Sequence, residues 1–277
     1  MKKKSCIGIC LFFGLCLLGG CSNSKLRAEK VDNWARIKHR GMVVVGLDDS
    51  FVPMDFRQKN GRLVGYDVDL AKAVFKKCGL KPDFQTIDWS MKETELMNGT
   101  IDVIWNGYSK TSERMKKVAF SNPYLANDQV LVTKEKNVKN GADMKDKTIG
   151  VQSGSSGYDC YVGYPDLLKK YARKTIQYDT FNDAFLDLDA KRISGIVIDE
   201  VYASYVISHK SDPLSYHEVS IGYPKEEFAV GIRKGDKKLR LKINRALKEL
   251  KRTVRLKKLI INGSGKILLT DKYRFLG

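Results

Sequence analysis

The chain has 277 residues, 43% of them hydrophobic, and its 50 lysines and arginines against 32 aspartates and glutamates give a net charge of +18. That length and apolar fraction support one large core or two smaller ones and exclude a disordered chain or a polytopic membrane protein. The basic excess raises the question of nucleic acid, but the basic residues are spread along the chain without interleaved aromatics, so attraction to an anionic envelope, or simple solubility, is the better reading.

Lys2, Lys3 and Lys4 precede an apolar run over residues 7–18, which is too short to span a bilayer and has the flanks of an export signal. An exported protein has little contact with nucleic acid, which removes that partner. Leu18-Gly19-Gly20-Cys21 resembles the lipobox of bacterial lipoproteins. The resemblance implies a signal peptide over 1–20, lipid attachment at Cys21 and an anchor on the extracytoplasmic face of the cell membrane. An ordinary signal peptide with an incidental cysteine is the alternative. Without the signal the chain holds 47 basic and 32 acidic residues, a net charge of +15. Cys6, Cys10 and Cys16 lie in the signal, leaving Cys78 and Cys160, too few for a disulfide framework. Cys78 falls on the apolar face of a predicted helix and reads as a buried thiol.

Residues 22–33 are polar and without apolar period, and the whole of 21–40 reads as a tether. From Met42 the pattern alternates. "MVVVG" is a strand; "YDVDLAKAVFKKC" places Val68, Ala71, Val74, Phe75 and Cys78 at helical spacing. Ser90 with Glu93 forms a predicted capping box for the next helix, with Gly99 as its C-cap. "IDVIW" is a strand, 112–118 a short helix and "QVLVT" a strand. After a lysine- and asparagine-rich connection over 134–147 the alternation restarts. "TIGVQ", "TIQY", "GIVI" and "EFAVGIR" are strands; "YDCYVGYPDLLKKY", "FNDAFLDLDAK" and "EVYASYVI" are helices. The C-terminal part is basic and helical, with Leu239, Ile243, Leu247 and Leu250 in phase. This order implies α/β units with mainly parallel sheets in two lobes.

In such sheets ligands sit beyond the carboxyl ends of strands. Four ends carry unusual chemistry: "GLDDSFVP", "NGYSKTSER", "SGSSG" and "DEVYAS". With "GRLVGYDVDLAKAV", "IDVIWNGYSKTSERMKKVAFSNPY", "DMKDKTIGVQSGSSG", "ISGIVIDEVYASYVI" and "EEFAVGIRKGD" in this order, the chain resembles family 3 solute-binding proteins of polar amino-acid ABC transporters from about residue 41 to 259. The resemblance implies a two-lobed, periplasmic-binding-protein-like (type II) α/β fold with the ligand cleft between lobes. Lobe 1 would comprise 41–123 plus 228–277, lobe 2 128–223, and hinge segments 124–127 and 224–227.

The resemblance also implies site roles. Arg114 would pair with the ligand's α-carboxylate, helped by groups at Gly107 and Ser109 and, from the second lobe, Ser155 and Ser156. A planar guanidinium suits a carboxylate, and a helix N-terminus near Thr111 adds positive dipole. Asp199 would receive the α-ammonium, although an aspartate at a strand end also serves as a helix cap. Asp48, Phe51, Trp89 and Asn106 would line the side-chain pocket, with Phe51 and Trp89 as flat walls. Core packing for the two aromatics and a turn at Asp48-Asp49 are the alternatives, and Trp105 reads as core.

The function implied is non-catalytic capture of a polar amino acid and delivery to a permease, by a monomer without cofactor or metal. A sensing or adhesive lipoprotein, or a dehydratase on the same fold, are the competing readings. None of the three histidines lies in a candidate loop, no Cys/His cluster has metal-ligand spacing, and the Gly/Ser turn lacks a P-loop lysine. A carboxylate at Asp48 would disfavour acidic ligands and would be left unpaired by aliphatic ones. A neutral or basic polar side chain is therefore expected.

Overall fold

The computed structural model describes residues 31–252. The proposed lipid site at Cys21 and residues 253–277 of the expected lobe 1 lie outside the described residues.

The first apolar runs build one five-stranded sheet. Its order is β5 (Lys81–Thr86), β1 (Met42–Leu47), β6 (Val103–Ile104), β15 (Gly231–Ile232) and β7 (Ala119–Phe120). β1 pairs in parallel with β5 and β6, whereas β15 runs antiparallel to both its neighbours. The second sheet has the order β11 (Lys174–Tyr178), β10 (Thr148–Gln152), β12 (Gly195–Asp199), β9 (Gln129–Thr133) and β13 (His217–Val219). It too is parallel at β10–β11 and β10–β12 but antiparallel around β9. Both sheets are thus mixed rather than mainly parallel. The antiparallel strands are those joined directly to the crossings between sheets, where no helical crossover intervenes to reverse the chain.

The crossings are β8 (Leu125–Asn127) and β14 (Glu226–Phe228), which pair antiparallel with Glu226 opposite Asn127. The run "EFAVGIR" is therefore two short strands serving two sheets. A small three-stranded sheet, β2 (Ser50–Phe51), β3 (Asp55–Arg57) and β4 (Leu63–Val64), follows β1.

The helices are α1 (Trp34–Arg40), α2 (Tyr66–Lys77), α3 (Lys92–Asn98), α4 (Ser112–Lys117), α5 (Ser156–Gly163), α6 (Phe181–Asp189), α7 (Glu200–Ser208) and α8 (Lys237–Arg252). In α2, Val68, Leu70, Ala71, Val74 and Phe75 are all buried. Each larger apolar side chain buried in this way stabilises by about 1.5–3 kcal/mol. In α8 the four residues in phase, Leu239, Ile243, Leu247 and Leu250, face the core as expected. Among the described residues, no helix is long and apolar enough to cross a membrane.

Four local expectations are corrected. Trp34–Arg40 is not tether: it is helical, Ile37 is fully buried, and Gly41 ends it in a left-handed conformation. One apolar residue on a short helix escapes a periodicity search. Ser90 does not cap α3; Asp88 caps a single 3-10 turn over Trp89–Met91 by accepting from Ser90 N, and α3 starts without a side-chain cap. Gly99 does close α3 in a left-handed conformation. α5 starts earlier than expected and stops at Gly163, two residues ahead of Pro165, which cannot continue a helix. Cys78 is the C-cap of α2 and only half-buried, though its surroundings still push the thiol up to about 11 through desolvation. Trp105 is fully buried against Phe75 and Tyr124, as a core residue.

Candidate functional site

The carboxyl ends of β1, β6, β10 and β12 converge on one cavity between the two sheets. Its lining is Phe51, Trp89, Asn106, Gly107, Arg114, Gln152, Ser155, Ser156 and Asp199. Eight of the ten ligand-site residues expected from the sequence are among these; Asp48 and Ser109 stand one layer behind.

Arg114 owes its position to Thr111, whose hydroxyl caps α4 by accepting from Arg114 N at 3.2 Å. The guanidinium lies over the Tyr108 ring, 4.6 Å from its centroid. Nη1 donates to Ser109 O at 3.1 Å, and Nη2 crosses to Gly154 O, also at 3.1 Å. Asp159, 3.8 Å away, supplies an exposed counter-charge.

The helpers are less free than expected. Gly107 has φ +54°, and a Cβ there would stand 2.7 Å from Phe51 Cε1, so the glycine lets chain and ring approach. Its N–H, however, donates inward to Asp67 at 2.7 Å. Ser109 Oγ lies 3.0 Å from Ser156 Oγ and donates to Glu226 at 2.6 Å. Ser155 caps α5, accepting from Tyr158 N at 3.0 Å. Asn106 braces the loop, accepting from Asp48 N and donating to Asp55.

Asp199 precedes α7 but makes no capping hydrogen bond. Its Oδ1 accepts instead from Asn127 Nδ2 and Gln129 Nε2, both at 2.7 Å. Burial, then the neighbouring Glu226 charge, raises its pKa to about 7. Asp48 does form the expected turn, accepting from Ser50 N and Oγ through Oδ1. Its Oδ2 takes Gln152 Nε2 from the opposite sheet at 3.1 Å. Burial raises the Asp48 pKa despite these bonds. Phe51 packs on Tyr202 and Phe181 across the cavity, with centroids at 5.3 and 6.2 Å. Trp89 meets Tyr108 edge-on.

Three residues escaped the sequence reading. Gln152 ends "TIGVQ" directly at a strand terminus, a place where a signal was available. Lys92 had no signal: it is buried on α3, donating to Trp89 O at 3.0 Å and across to Gly154 O at 2.8 Å. Desolvation, then Arg114, lowers its pKa to about 8. Glu226 reaches the site from the crossing strand β14. Arg114 and Asp199 both line the cavity, with Lys92 and Glu226 buried beside it, so a cation and a carboxylate face the same space. A small zwitterion is complementary to that arrangement.

Two α/β units facing each other across a polar cavity, with the chain crossing twice between them, define a two-lobed binding protein. The sequence matches the model of the bacterial extracellular solute-binding proteins, family 3, over residues 43–261, and the chain belongs to that family. It is similar to a histidine-bound substrate-binding protein of an ABC uptake transporter from Streptococcus pneumoniae, with 44% identity, 86% of this chain and 98% of that one covered, and a TM-score of 0.82. It is 28% identical to the L-cystine-binding protein TcyJ of Escherichia coli K12, covering 91% of each chain. It is also 28% identical to the arginine-binding extracellular protein ArtP of Bacillus subtilis, covering 88% of this chain and 94% of that one.

Proposed function

We propose that the protein captures a polar amino acid outside the cytoplasm and hands it to the permease of an ABC transporter. The observation that carries this reading is the presence of Arg114 and Asp199 on the wall of one cavity between the sheets. The guanidinium takes the α-carboxylate, and Asp199 takes the α-ammonium. Several charge-assisted bonds of ~1.5–3 kcal/mol each, offset by the cost of closure, are consistent with a micromolar Kd, about −8 kcal/mol.

Closure follows from the division of these groups. The first lobe supplies Arg114, the second supplies Asp199, and the lobes move about 124–127 and 224–227, so a ligand touching both stabilises the closed form. Cys21, as the lipid site, anchors the chain to the membrane beside the permease. The relatives named for histidine, cystine and arginine support a neutral or basic polar ligand. An acidic one would bring a second carboxylate near Asp199, Glu226 and Asp48, with Arg114 taken by the first and Lys92 held on the Trp89 and Gly154 carbonyls.

Calorimetric titration of the mature chain with the twenty amino acids, cystine and ornithine tests the reading. Micromolar binding within the set of histidine, arginine, lysine, glutamine and cystine is expected. Binding of glutamate or leucine with none of that set would contradict it.

A further inference from the structure

Glu226 does not itself line the cavity; it is buried directly behind Ser156, which does. Its Oε2 accepts from Ser109 Oγ at 2.6 Å, Ser156 Oγ at 3.0 Å and Gln129 Nε2 at 3.0 Å. The same Gln129 nitrogen lies 2.7 Å from Asp199 Oδ1, and Asn127 Nδ2 serves both acids, at 2.7 Å for Asp199 and 3.4 Å for Glu226. Backbone register fixes this pairing: Asp199 faces Gln129 across β12–β9, and Glu226 faces Asn127 across β14–β8. Residues 127 and 129, two apart on an extended chain, turn their amides to one side. Both amides present NH2 to the acids, leaving Asn127 Oδ1 and Gln129 Oε1 buried without a donor.

Neither carboxylate has an ion-pair partner among the described residues. Two carboxylates sharing their donors in a buried place do not both ionise readily. We propose that Asp199 and Glu226 form a two-carboxylate ammonium site that holds one proton in the ligand-free protein and releases it to solvent when the ligand's ammonium arrives. The exchange balances: the proton leaves as water-borne acid, and the ammonium brings the one positive charge the pair needs. The cavity wall formed by Asp199, with Arg114 on the same cavity, is what points the pair at a ligand.

The other groups facing the pair act in known directions. Arg114 favours ionisation of Asp199 but is outweighed by burial and by Glu226, so the proton is held near neutral pH. Cys160 on α5, with Sγ 3.7 Å from Glu226 Oε1, has its thiol pushed up to about 12 by burial and then by Glu226, so it stays neutral. The acids and amides lie on β8, β9, β12 and β14, that is, on the second sheet and the two crossing strands.

The inference rests on the reading of Asp199 as the ammonium acceptor. It is tested by calorimetry of the mature protein with L-arginine and with L-glutamine, whose side chains keep their charge between pH 6 and 8. Titrations in two buffers of different protonation enthalpy count the protons exchanged. About one proton released per ligand is expected at pH 6, falling toward none at pH 8, with affinity changing about tenfold per pH unit below neutrality. Glu226→Gln should bring the count near zero and flatten the pH dependence to within about twofold. Binding of either amino acid without proton release overturns this proposal and leaves the function standing; if neither binds, L-lysine, whose side chain also keeps its charge in this range, takes their place, and failure of the whole polar set removes both. Where Glu226→Gln does not fold, 13C-carboxyl NMR of the wild type decides: Asp199 should titrate near neutral pH without L-arginine and remain ionised with it. A carboxyl ionised in both states overturns the proposal.

Discussion

Lys92 and Gly154 meet across the cavity: the Lys92 ammonium donates to the Gly154 carbonyl at 2.8 Å, and Arg114 shares that oxygen at 3.1 Å. One loop of the second sheet is thus held by two cations of the first. Below about pH 8 Lys92 is charged, and its burial penalty is fully present. Lys92→Met therefore removes a desolvated charge along with a cross-cavity bond. Ligand affinity should fall about tenfold, the worth of one charged hydrogen bond of ~1.5 kcal/mol, while thermal stability is unchanged or higher. Calorimetry paired with a melting curve checks both halves.

Arg114→Ala should abolish binding, a loss of at least a hundredfold if two charge-assisted bonds of ~1.5–3 kcal/mol each disappear. Unfolding should remain cooperative, since little apolar area is lost. Arg114→Lys should recover only a small part, because an ammonium cannot grip a carboxylate with two parallel bonds. Retained micromolar affinity in the alanine variant would exclude the carboxylate role.

Gly107→Ala combines a left-handed backbone with a Cβ 2.7 Å from Phe51 Cε1. The conformation alone disfavours alanine by about 1–2 kcal/mol, and the ring must leave its place on Tyr202. Both a lower melting temperature and weaker binding are expected. A variant with wild-type values would show that the loop relaxes freely.

Much of this was legible along the chain. The strand ends that form the cavity announce themselves as apolar runs stopping at small or charged residues, and Thr111, three residues before Arg114, reads as the cap it is. Residues brought in by long-range pairing were not legible. Glu226 lies 117 positions from Ser109, and only the β8–β14 register brings it behind the cavity wall. "EFAVGIR" looks like one strand because local pattern cannot show that the chain changes sheets within it. Ser90 had the right neighbours for a cap, but Asp88 competes with a stronger acceptor two residues earlier. Asp199 shows the reverse: local pattern favours a cap, whereas Asn127 and Gln129 claim the carboxylate.

The ligand-free protein should lose stability as pH rises. Burial lifts Asp67 to about 7, and Asp55 is raised well above the ordinary range by burial and by Asp67. Asp199 is lifted to about 7 as well. A raised folded pKa means that the native state binds more protons than the unfolded chain. Its stabilisation is full below about pH 4 and is lost through about pH 7, at most ~1.4 kcal/mol per pH unit for each group. The melting temperature should therefore fall between pH 5 and 8, and Asp67→Asn should flatten part of that slope. A melting temperature that rises over this range would show that these acids ionise freely in the fold.

The central claim is that Arg114 and Asp199 hold the two ends of a zwitterion. Calorimetric titration with L-arginine, its α-carboxamide and agmatine, which lacks the carboxyl group altogether, tests this most directly. L-arginine should bind in the micromolar range, and both analogues should bind at least a hundredfold more weakly in the wild type yet differ little from L-arginine in Arg114→Ala. Agmatine binding as tightly as L-arginine would contradict it.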